Sequence, residues 1–315
     1  DLFDTTPLYI DRDGKWSFIS SENMGNPESD PAERGSFLPW EKSSPVSNKI
    51  DIYFPVLHGP NGEDGRIQGI FEMEGVPFAG AGSLSSNLAM DKVVSKILFK
   101  QAGLSNAEYG VFTENNPDII INEVEKTLGY PCFVKPCALG SSVGITKATN
   151  REKLLKGINE AFRFDTKIII EEEIIGVEYE VSVKGNNNPV ASRPGSFIPS
   201  RDFYDYEDKY ILGKTEFMIP AELPKNRENE LKSASLTAYR ALFLNGFSRV
   251  DFFIEDRSGK IIINEINTIP GFTEISMFPK LWETEGISFK SLITELIGLG
   301  FEYSESIFSR LNKPE

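Results

Sequence analysis

The sequence holds one histidine and two cysteines among its 315 residues. A lone histidine, His58, excludes a metal centre built on several imidazoles, and two cysteines are too few for a disulfide framework or a cysteine zinc site. No apolar run approaches the length of about 18 residues that a membrane-spanning helix requires. These scarcities predict a cytoplasmic protein that has no membrane partner.

Basic residues are also scarce, since 33 Lys and Arg stand against 47 Asp and Glu, and the formal net charge is -14. A partner made of nucleic acid or anionic lipid would require a basic face, so neither is expected. What the chain does have is 40% hydrophobic and 25% charged residues, the composition of ordinary globular proteins. A chain of this length is expected to fold as two or three domains.

The order of apolar and polar segments predicts alternating strands and helices. A hairpin is expected over residues 8–19, with its turn at Asp13 and Gly14, followed by a loop over residues 20–47. Strands are predicted for residues 50–57 (buried and parallel), 77–80, 109–112, 132–135, 167–172, 176–184 and 190–197. Helices are predicted for residues 65–75, 87–103, 117–128, 151–164, 227–244 and 288–299.

Acidic and amide side chains gather on two predicted strands that are joined by a short turn, at residues 247–255 and 261–267. If residues 255 and 261 form a pair, antiparallel register sets Asp251 opposite Glu265. The same register sets Arg249 opposite Asn267, and period-2 alternation puts all four side chains on one face. The buried face then carries Val250, Ile254, Ile262 and Ile266.

Two carboxylates directly opposite each other repel, which costs stability unless a cation lies between them. Carboxylate and amide oxygens suit Mg²⁺, whose shell is usually completed by phosphate and water. The hairpin therefore predicts a magnesium site and a phosphoryl-transfer reaction. The alternative is the ordinary polar face of an exposed hairpin, because the register itself is an expectation.

A loop rich in glycine and serine follows Lys135, at Gly140-Ser141-Ser142-Val143-Gly144. Its backbone N–H groups can contact phosphate oxygens, while Lys135 adds a positive charge. The loop matches neither of the common nucleotide motifs, G-x-x-x-x-G-K-[ST] and G-x-G-x-x-G. Gly80-Ala81-Gly82 imitates the second motif but lacks its third glycine, so we interpret it as a turn.

Two further segments each allow a functional and a plain interpretation. Residues 171–173 are three glutamates at the end of a predicted strand, and they form either a hinge for adenine and ribose or a solvated acidic face. Residues 203–210 are aromatic and charged without a consistent period. They form either a lid over a site or a surface loop held by aromatic packing.

Taken together, these segments resemble the D-alanine-D-alanine ligases, a family of the ATP-grasp superfamily. The resemblance runs from about Leu8 to the end and rests on six ordered motifs: FPVLHGPNGEDG (54–65), MDK (90–92), GSSVG (140–144), FYDYEDKY (203–210), GFSRVD (246–251) and NEINTIPGFT (264–273). It implies an α/β (α+β) ATP-grasp fold, with an N-terminal parallel-sheet domain and two α+β subdomains enclosing ATP. The implied bounds are 1–90 for the N-terminal substrate domain, 91–176 for the central subdomain, and 177–315 for the C-terminal subdomain with lid and metal site.

The resemblance also implies roles for the matching residues. The implied ATP-binding residues are Lys92, Lys135, Glu171, Glu172, Ile174, Glu178, Phe203 and Lys209. The implied ligands of two Mg²⁺ ions, which Mn²⁺ could replace, are Asp251, Glu265 and Asn267. The implied substrate contacts are His58, Arg249, Gly271, Ser276 and Met277. The implied catalytic residues are Ser141, Lys209, Tyr210 and Arg249, with Tyr210 hydrogen-bonded to Ser141.

By the same resemblance, the γ-phosphoryl group of ATP moves to the carboxylate of one D-alanine and gives an acyl phosphate. A second D-alanine attacks through its neutral amine, and the products are D-alanyl-D-alanine for peptidoglycan, ADP and phosphate. Arg249 balances the developing oxyanion, and the lid excludes water. The family resemblance is compatible with a homodimer.

Two features depart from the family pattern. Nothing before Leu8 corresponds to the family's opening glycine-rich strand, or to the glutamate that binds the ammonium of the first substrate. We therefore expect that leading residues are missing from this chain. Glu172 stands where the family often has lysine, which is compatible with adenine binding through the backbone.

Three alternatives to D-alanine ligation stay open. The apolar Met277 favours D-alanine as acceptor over D-serine, and the lid pattern at residues 204–210 favours an amine acceptor over D-lactate. A related ATP-grasp ligase could take another carboxylate and amine. A nucleotide-binding regulatory protein without turnover is the third alternative, although opposed carboxylates such as Asp251 and Glu265 serve no purpose there.

Overall fold

The computed structural model describes residues 2–11, 14–18, 50–140, 143–198, 216–273 and 275–311. The loop predicted at residues 20–47 and the lid predicted at residues 203–210 lie outside the described residues. The same holds for the individual site predictions Ser141, Phe203, Lys209 and Tyr210.

The N-terminal part begins with the predicted hairpin, in which β1 (Leu8–Ile10) pairs antiparallel with β2 (Trp16–Phe18). The strands predicted at residues 50–57 and 77–80 need correction, because the described chain forms only one parallel bridge there, between Tyr53 and Phe78. Proline has no N–H to extend a ladder, and a proline lies within two residues of each bridge residue. The bridge still packs in a buried cluster with α1 (Arg66–Glu74), the predicted helix.

Asp91 divides the helix predicted for residues 87–103, so the prediction of one helix is wrong. α2 (Ser83–Met90) ends before Asp91, and α3 (Lys92–Gln101) begins after it. Asp91 Oδ1 accepts hydrogen bonds from the N–H groups of Val93 and Val94, at 3.0 and 3.1 Å. An aspartate in this N-cap position satisfies N–H groups that have no partner within the helix, so a new helix starts there. Lys92 thereby becomes the first residue of α3.

A four-stranded antiparallel sheet forms the central part, in the order β3-β6-β4-β5. Its strands are β3 (Tyr109–Phe112), β4 (Cys132–Pro136), β5 (Thr146–Ala148) and β6 (Ile168–Glu172). Two predicted helices, α4 (Pro117–Thr127) and α5 (Arg151–Ala161), share a buried core with one face of this sheet. On the other face, Ile169 packs with Val93 of α3.

A second antiparallel sheet forms the C-terminal part, in the order β10-β9-β7-β11-β12, with β8 paired to β7. Its strands are β7 (Gly176–Lys184), β8 (Val190–Ala191), β9 (Gly195–Ile198), β10 (Glu216–Met218), β11 (Phe247–Glu255) and β12 (Ile261–Asn267). The single strand predicted at residues 190–197 is thus split in two, because Pro194 cannot donate to a ladder. α6 (Lys225–Ala241) packs on this sheet in the largest core.

Two helices close the chain, α7 (Met277–Thr284) and α8 (Phe289–Leu311). α8 continues well past the predicted end at residue 299 and includes Gly300. A Cβ at Gly300 would lie 2.6 Å from the carbonyl oxygen of Phe78, so this glycine permits close packing of α8 on the N-terminal part. Within the described part of the chain, no helix combines the length and the apolar character that crossing a bilayer demands.

The N-terminal and C-terminal parts meet at Asn245. Its Nδ2 donates to the carbonyl oxygen of Gly80 at 2.8 Å, and its Oδ1 accepts from the N–H of Gly82 at 3.2 Å. Gly246 has a φ of 70°, and a Cβ there would lie 2.7 Å from the Gly80 carbonyl oxygen. The segment interpreted as a turn at residues 80–82 therefore joins the start of β11 to the N-terminal part.

Candidate active site

The predicted metal hairpin is present, and a β-bulge sets its register. β11 and β12 pair Asp251 with Glu265, and they pair Arg249 with Asn267, as predicted. Nearer the turn the pairing is shifted by one residue, because Ile254 lies opposite Ile261. Asn264 is the extra residue on β12, since residue 252 pairs with residue 263.

The bulge corrects the predicted buried face of the hairpin. Between Asn264 and the turn, the extra residue reverses the face of the sheet to which each side chain of β12 points. Ile263 therefore joins Val250 and Ile266 in the largest core. Ile262, which was predicted on that face, pairs with Phe253 on the opposite side. The site face is therefore polar near Asp251 and apolar nearer the turn.

Arg249 holds the acidic residues of the site together. Its guanidinium donates to both carboxylate oxygens of Asp251, from Nε at 2.8 Å and from Nη2 at 2.7 Å. Its Nε also lies 3.2 Å from Oε2 of Glu180, on the neighbouring strand β7. Burial lowers the pKa of Arg249, but the charges of Asp251 and Glu180 outweigh burial and raise that pKa well above its ordinary value. Arg249 is therefore a permanent cation in a buried acidic setting.

The donor chemistry at this edge of the sheet fits Mg²⁺. Asp251 and Glu265 supply carboxylates, and the amide of Asn267 is fixed because its Oδ1 accepts from the N–H of Ile269 at 3.0 Å. These are the oxygen ligands that Mg²⁺ prefers, and a carboxylate bound to arginine retains further acceptor capacity. Among the described residues, no group of three or more His, Cys, Asp or Glu side chains could hold a metal ion. The fit therefore rests on two carboxylates and an amide.

One cavity of about 520 Å³ brings many of the predicted site residues together. The predicted residues in its lining are His58, Lys92, Arg249, Glu265, Asn267, Gly271, Ser276 and Met277. The predicted residues that lie outside this lining are Lys135, Glu171, Glu172, Ile174, Glu178 and Asp251. The cavity thus joins the N-terminal part, the start of α3 and the hairpin edge.

The predicted phosphate-binding lysines already have partners in the protein. Lys92 Nζ donates to the carbonyl oxygen of Leu139 at 2.7 Å, directly before the glycine of the predicted phosphate loop. Lys135 Nζ donates to Oε2 of the buried Glu171 at 2.7 Å, and Lys96 Nζ lies 3.1 Å from the other oxygen of Glu171. Burial raises the pKa of Glu171, but Lys135 and then Lys96 outweigh it and hold that pKa at about 2. Glu171 is therefore an anion shared by two cations.

The other predicted hinge residues are less enclosed. Glu172 is half-buried, and its Oε1 accepts from the N–H of Glu108 at 2.9 Å. Ile174 and Glu178 are also half-buried, and Glu178 lies opposite Phe253 of β11. The end of β6 and the start of β7 therefore lie close to the apolar stretch of the site face.

The turn after His58 is held by a carboxylate. Glu63 Oε2 accepts from the N–H of Gly59 at 2.5 Å, and the N–H of Glu63 donates to the carbonyl oxygen of Gly59 at 2.9 Å. Burial raises the pKa of Glu63 to about 7, against the opposing effect of the Gly59 hydrogen bond. Burial lowers the pKa of His58, against a hydrogen bond with the Ile269 backbone. His58 therefore favours the neutral form in a turn that Glu63 shapes.

Gly271, Ser276 and Met277 close one end of the cavity. Ser276 Oγ accepts from the N–H of Thr273 at 3.0 Å, and a Cβ at Gly271 would lie 2.5 Å from this Oγ. Glycine is therefore required where the loop passes the serine. Met277 begins α7, and it is buried against Phe197 and Leu281. This end of the cavity offers the hydroxyls of Ser276 and Thr273, which lie 2.8 Å apart, beside an apolar wall.

Two family models match the chain. The model of the D-ala D-ala ligase N-terminus matches residues 1–81, and the model of the D-ala D-ala ligase C-terminus matches residues 98–298. The chain belongs to the D-alanine-D-alanine ligase family.

The ligase also resembles individual proteins over most of its length. It is 44% identical to the D-alanine--D-alanine ligase of Heliobacterium modesticaldum over 313 residues, which cover 95% of this chain and 86% of that protein. It is 44% identical to the D-alanine--D-alanine ligase of Bacillus velezensis over 319 residues, which cover 96% of this chain and 90% of that protein.

Solved structures confirm the predicted ATP-grasp fold of the ligase. The VanG D-Ala:D-Ser ligase from Enterococcus faecalis matches with a TM-score of 0.83 and 37% identity, covering 95% of this chain and 90% of that chain. The D-alanine-D-alanine ligase from Coxiella burnetii matches with a TM-score of 0.79 and 26% identity, covering 97% of this chain and 86% of that chain.

Sequence reasoning missed three charged residues of the ligase site. Glu63 and Glu180 line the cavity, and Lys96 binds Glu171. Lys96 carried a usable signal, because it lies at helical spacing between the apolar Val93 and Phe99 and therefore on a buried face. Glu63 and Glu180 gave no comparable signal, since a single acidic residue is usually solvated.

Proposed function

We propose that this ligase joins two D-alanine molecules into D-alanyl-D-alanine for peptidoglycan synthesis, converting ATP to ADP and phosphate. The observation that carries the proposal is the shared cavity, which is lined by Arg249, Lys92 and the hairpin oxygens. Groups suited to a carboxylate and groups suited to phosphate thus line one space. The activity named for the relatives at 44% identity supports the same reaction.

The nucleotide is proposed to bind between the central sheet and the hairpin. Lys92 and Lys135 would contact its phosphates, and the backbone near Glu172 and Ile174 would contact its adenine. Phe203 would cover the adenine, and Glu171 and Glu178 would complete the adenine and ribose site. The apolar stretch of the site face supports this placement, because a base needs an apolar surface.

Asp251, Glu265 and Asn267 would hold two Mg²⁺ ions. When bound, Mg²⁺ neutralises the charge that develops on the phosphates during phosphoryl transfer. The pairing of Asp251 directly opposite Glu265 supports this role, since two carboxylates that face each other can share one cation.

Activation of the first D-alanine comes before peptide-bond formation. One oxygen of its carboxylate attacks the γ-phosphorus of ATP, ADP departs, and an acyl phosphate forms. Arg249 and His58 are proposed to orient this carboxylate, because both line the cavity. A carboxylate alone is too poor an electrophile for the next step, so the ATP is required.

The second D-alanine then attacks the acyl carbon through its neutral amine. Arg249 and the N–H of Gly271 would stabilise the tetrahedral oxyanion, phosphate departs, and the amine loses its second proton to solvent. Ser276 would bind the carboxylate of this second substrate. Ser141, Lys209 and Tyr210 would close the cavity, because water would otherwise hydrolyse the acyl phosphate.

D-alanine is the proposed acceptor because Met277 presents an apolar wall beside Ser276. D-serine is the second candidate, and the TM-score of 0.83 to a D-Ala:D-Ser ligase favours keeping it. The apolar wall at Met277 supplies no strong donor or acceptor for the hydroxyl of D-serine, which favours the smaller substrate on that side of the site.

The deciding experiment incubates the full-length protein with MgATP and D-alanine, alone or with equimolar D-serine or D-lactate. Mass spectrometry then identifies the product, and a coupled assay measures ADP. We expect D-alanyl-D-alanine as the main product in every mixture. A preference for a mixed product would contradict the acceptor assignment. Nucleotide binding without ADP formation for any amino acid would support the regulatory alternative.

We further propose three units, at residues 1–90, 91–176 and 177–315, that act in the cytoplasm, where ATP is supplied. Separate buried clusters around Trp16, Val134 and Val250 support the division. Ala89 and Phe99 lie on either side of the first boundary but in the same core. α2 and α3 would therefore link the units.

A further inference from the structure

Lys96 stands behind the pair formed by Lys135 and Glu171. Its side chain is 2% exposed, whereas that of Lys135 is 14% exposed, so Lys135 lies nearer the surface. Lys135 reaches one carboxylate oxygen at 2.7 Å and Lys96 reaches the other at 3.1 Å. Two cations thus share one buried anion, from opposite oxygens.

The fold places Lys96 on the buried side of α3. It lies one helical turn after Lys92, so the two lysines share one face of α3. Asn106 Nδ2 donates to the carbonyl oxygen of Lys96 at 2.7 Å, and Lys96 Nζ lies 5.9 Å from the ring centroid of Tyr109. Lys92 reaches the cavity, while Lys96 reaches the carboxylate of Glu171.

We infer that Lys96 is a positioning residue for nucleotide binding, which keeps Glu171 neutralised and so leaves Lys135 able to turn to a phosphate. The inference rests on the proposed function, because it takes a nucleotide as the ligand. Without Lys96, a phosphate that drew Lys135 away would leave a buried carboxylate without a cation. Breaking a buried pair in that way is strongly unfavourable.

The excess positive charge supports the same inference. Within this triad two lysines share one glutamate, and the charges of Glu265 and Glu178 also act on Lys135 from outside it. A local excess of cations of this kind favours an arriving anion. Lys135 is the cation that can meet the anion, since it is the more exposed of the two. A phosphate of the nucleotide has the matching charge.

Lys96→Met tests the inference, because methionine keeps an unbranched apolar stem and removes the charge. The remaining one-to-one pair holds Lys135 on Glu171, so nucleotide binding is expected to weaken while folding does not. Calorimetric titration with MgADP, without D-alanine, should show a Kd at least tenfold higher than that of the wild type. The KM for ATP should rise by a similar factor, and the KM for D-alanine should change less than twofold.

Lys100→Met is the matched control, since Lys100 lies one turn further along α3 and is exposed. Its Kd for MgADP should stay within twofold of the wild type. The Tm of unliganded Lys96→Met should stay close to that of the wild type, because Lys135 still neutralises Glu171 and removal of a second buried cation offsets the partner that Glu171 Oε1 loses. A merely structural role would instead lower the Tm and leave the Kd unchanged.

An unchanged Kd for MgADP in Lys96→Met would overturn the inference. So would a weaker Kd accompanied by a Tm several degrees below that of the wild type. Dipeptide formation by the wild type is measured in parallel. If no dipeptide forms, the proposed ligase activity is wrong, but the MgADP titrations still decide the role of Lys96. A wild type with no measurable affinity for MgADP would overturn both.

Discussion

Asp251→Asn separates a metal-binding role of the hairpin from a structural one. The substitution keeps the shape of the side chain and removes its charge. Asp251 is buried, and both of its carboxylate oxygens accept from Arg249. An asparagine can keep one of these bonds but turns an NH₂ group toward the second donor of Arg249.

The stability cost follows from these contacts. Loss of one charge-assisted hydrogen bond costs about 1.5–3 kcal/mol. Relief of the repulsion with Glu265 directly opposite restores roughly 0.2–1 kcal/mol. Arg249 also keeps its ion pair with Glu180. The net loss in free energy of unfolding is therefore about 1–2 kcal/mol.

The expected loss of activity is much larger. If Asp251 binds Mg²⁺ as proposed, removal of its charge affects the transition state directly, and kcat should fall about 10³-fold or more, which corresponds to about 4 kcal/mol. Urea unfolding and steady-state release of ADP measure the two effects on the same protein. Asp256→Asn, at the exposed turn of the same hairpin, should change either quantity by less than about 0.5 kcal/mol. Equal losses of activity and stability in Asp251→Asn would refute the metal-binding role.

Four further perturbations test other parts of the structure. Asp91→Ala removes two N-cap hydrogen bonds, so the free energy of unfolding in urea should fall by about 1–2 kcal/mol, and no change would contradict the capping account of the helix break. The pKa of Glu63 is raised to about 7, so wild-type stability should fall as the pH rises from about 4.5 to about 7; Glu63→Gln should lose this dependence, and equal pH slopes would argue against a buried acid. Apart from its chain neighbours and the backbone of α1, no atom of the described residues lies within 4 Å of a Cβ built on Gly69, so Gly69→Ala should stabilise the protein by about 0.5–1 kcal/mol in the same unfolding assay. Gly271→Ala should instead raise the KM for D-alanine, because its Cβ would meet Ser276 Oγ, and an unchanged KM would place the substrate elsewhere.

The hairpin shows how far sequence reasoning reached and where it stopped. The predicted pairing of Asp251 with Glu265 is correct although it was counted from a pair of residues 255 and 261 that does not form, because the extra residue at Asn264 makes up the difference of one residue. The pairing near the turn is wrong, because residues 261–263 are three consecutive isoleucines, and alternation alone cannot tell which of them face the core. The bulge at Asn264 decides that question.

Other differences have equally local causes. Helical periodicity continues through Asp91 in the sequence, but the backbone conformation of an N-cap is not visible in that pattern. The sharing of Glu171 between Lys96 and Lys135 depends on tertiary packing between α3 and the central sheet, which no local pattern reveals. The roles assigned to the site residues stay predictions, and Ser141, Phe203, Lys209 and Tyr210 lie outside the described residues.

The amide of Asn245 has a consequence for how an enzyme of this shape can open. If the N-terminal part separated from the start of β11, the carbonyl oxygen of Gly80 and the N–H of Gly82 would both lose their hydrogen-bond partner, Asn245. The cost would be about 1–3 kcal/mol for each buried group. This junction should therefore move as a rigid body throughout a catalytic cycle. For nucleotide to enter, the protein should therefore bend at hinges elsewhere. The distance between His58 and Arg249 should stay the same.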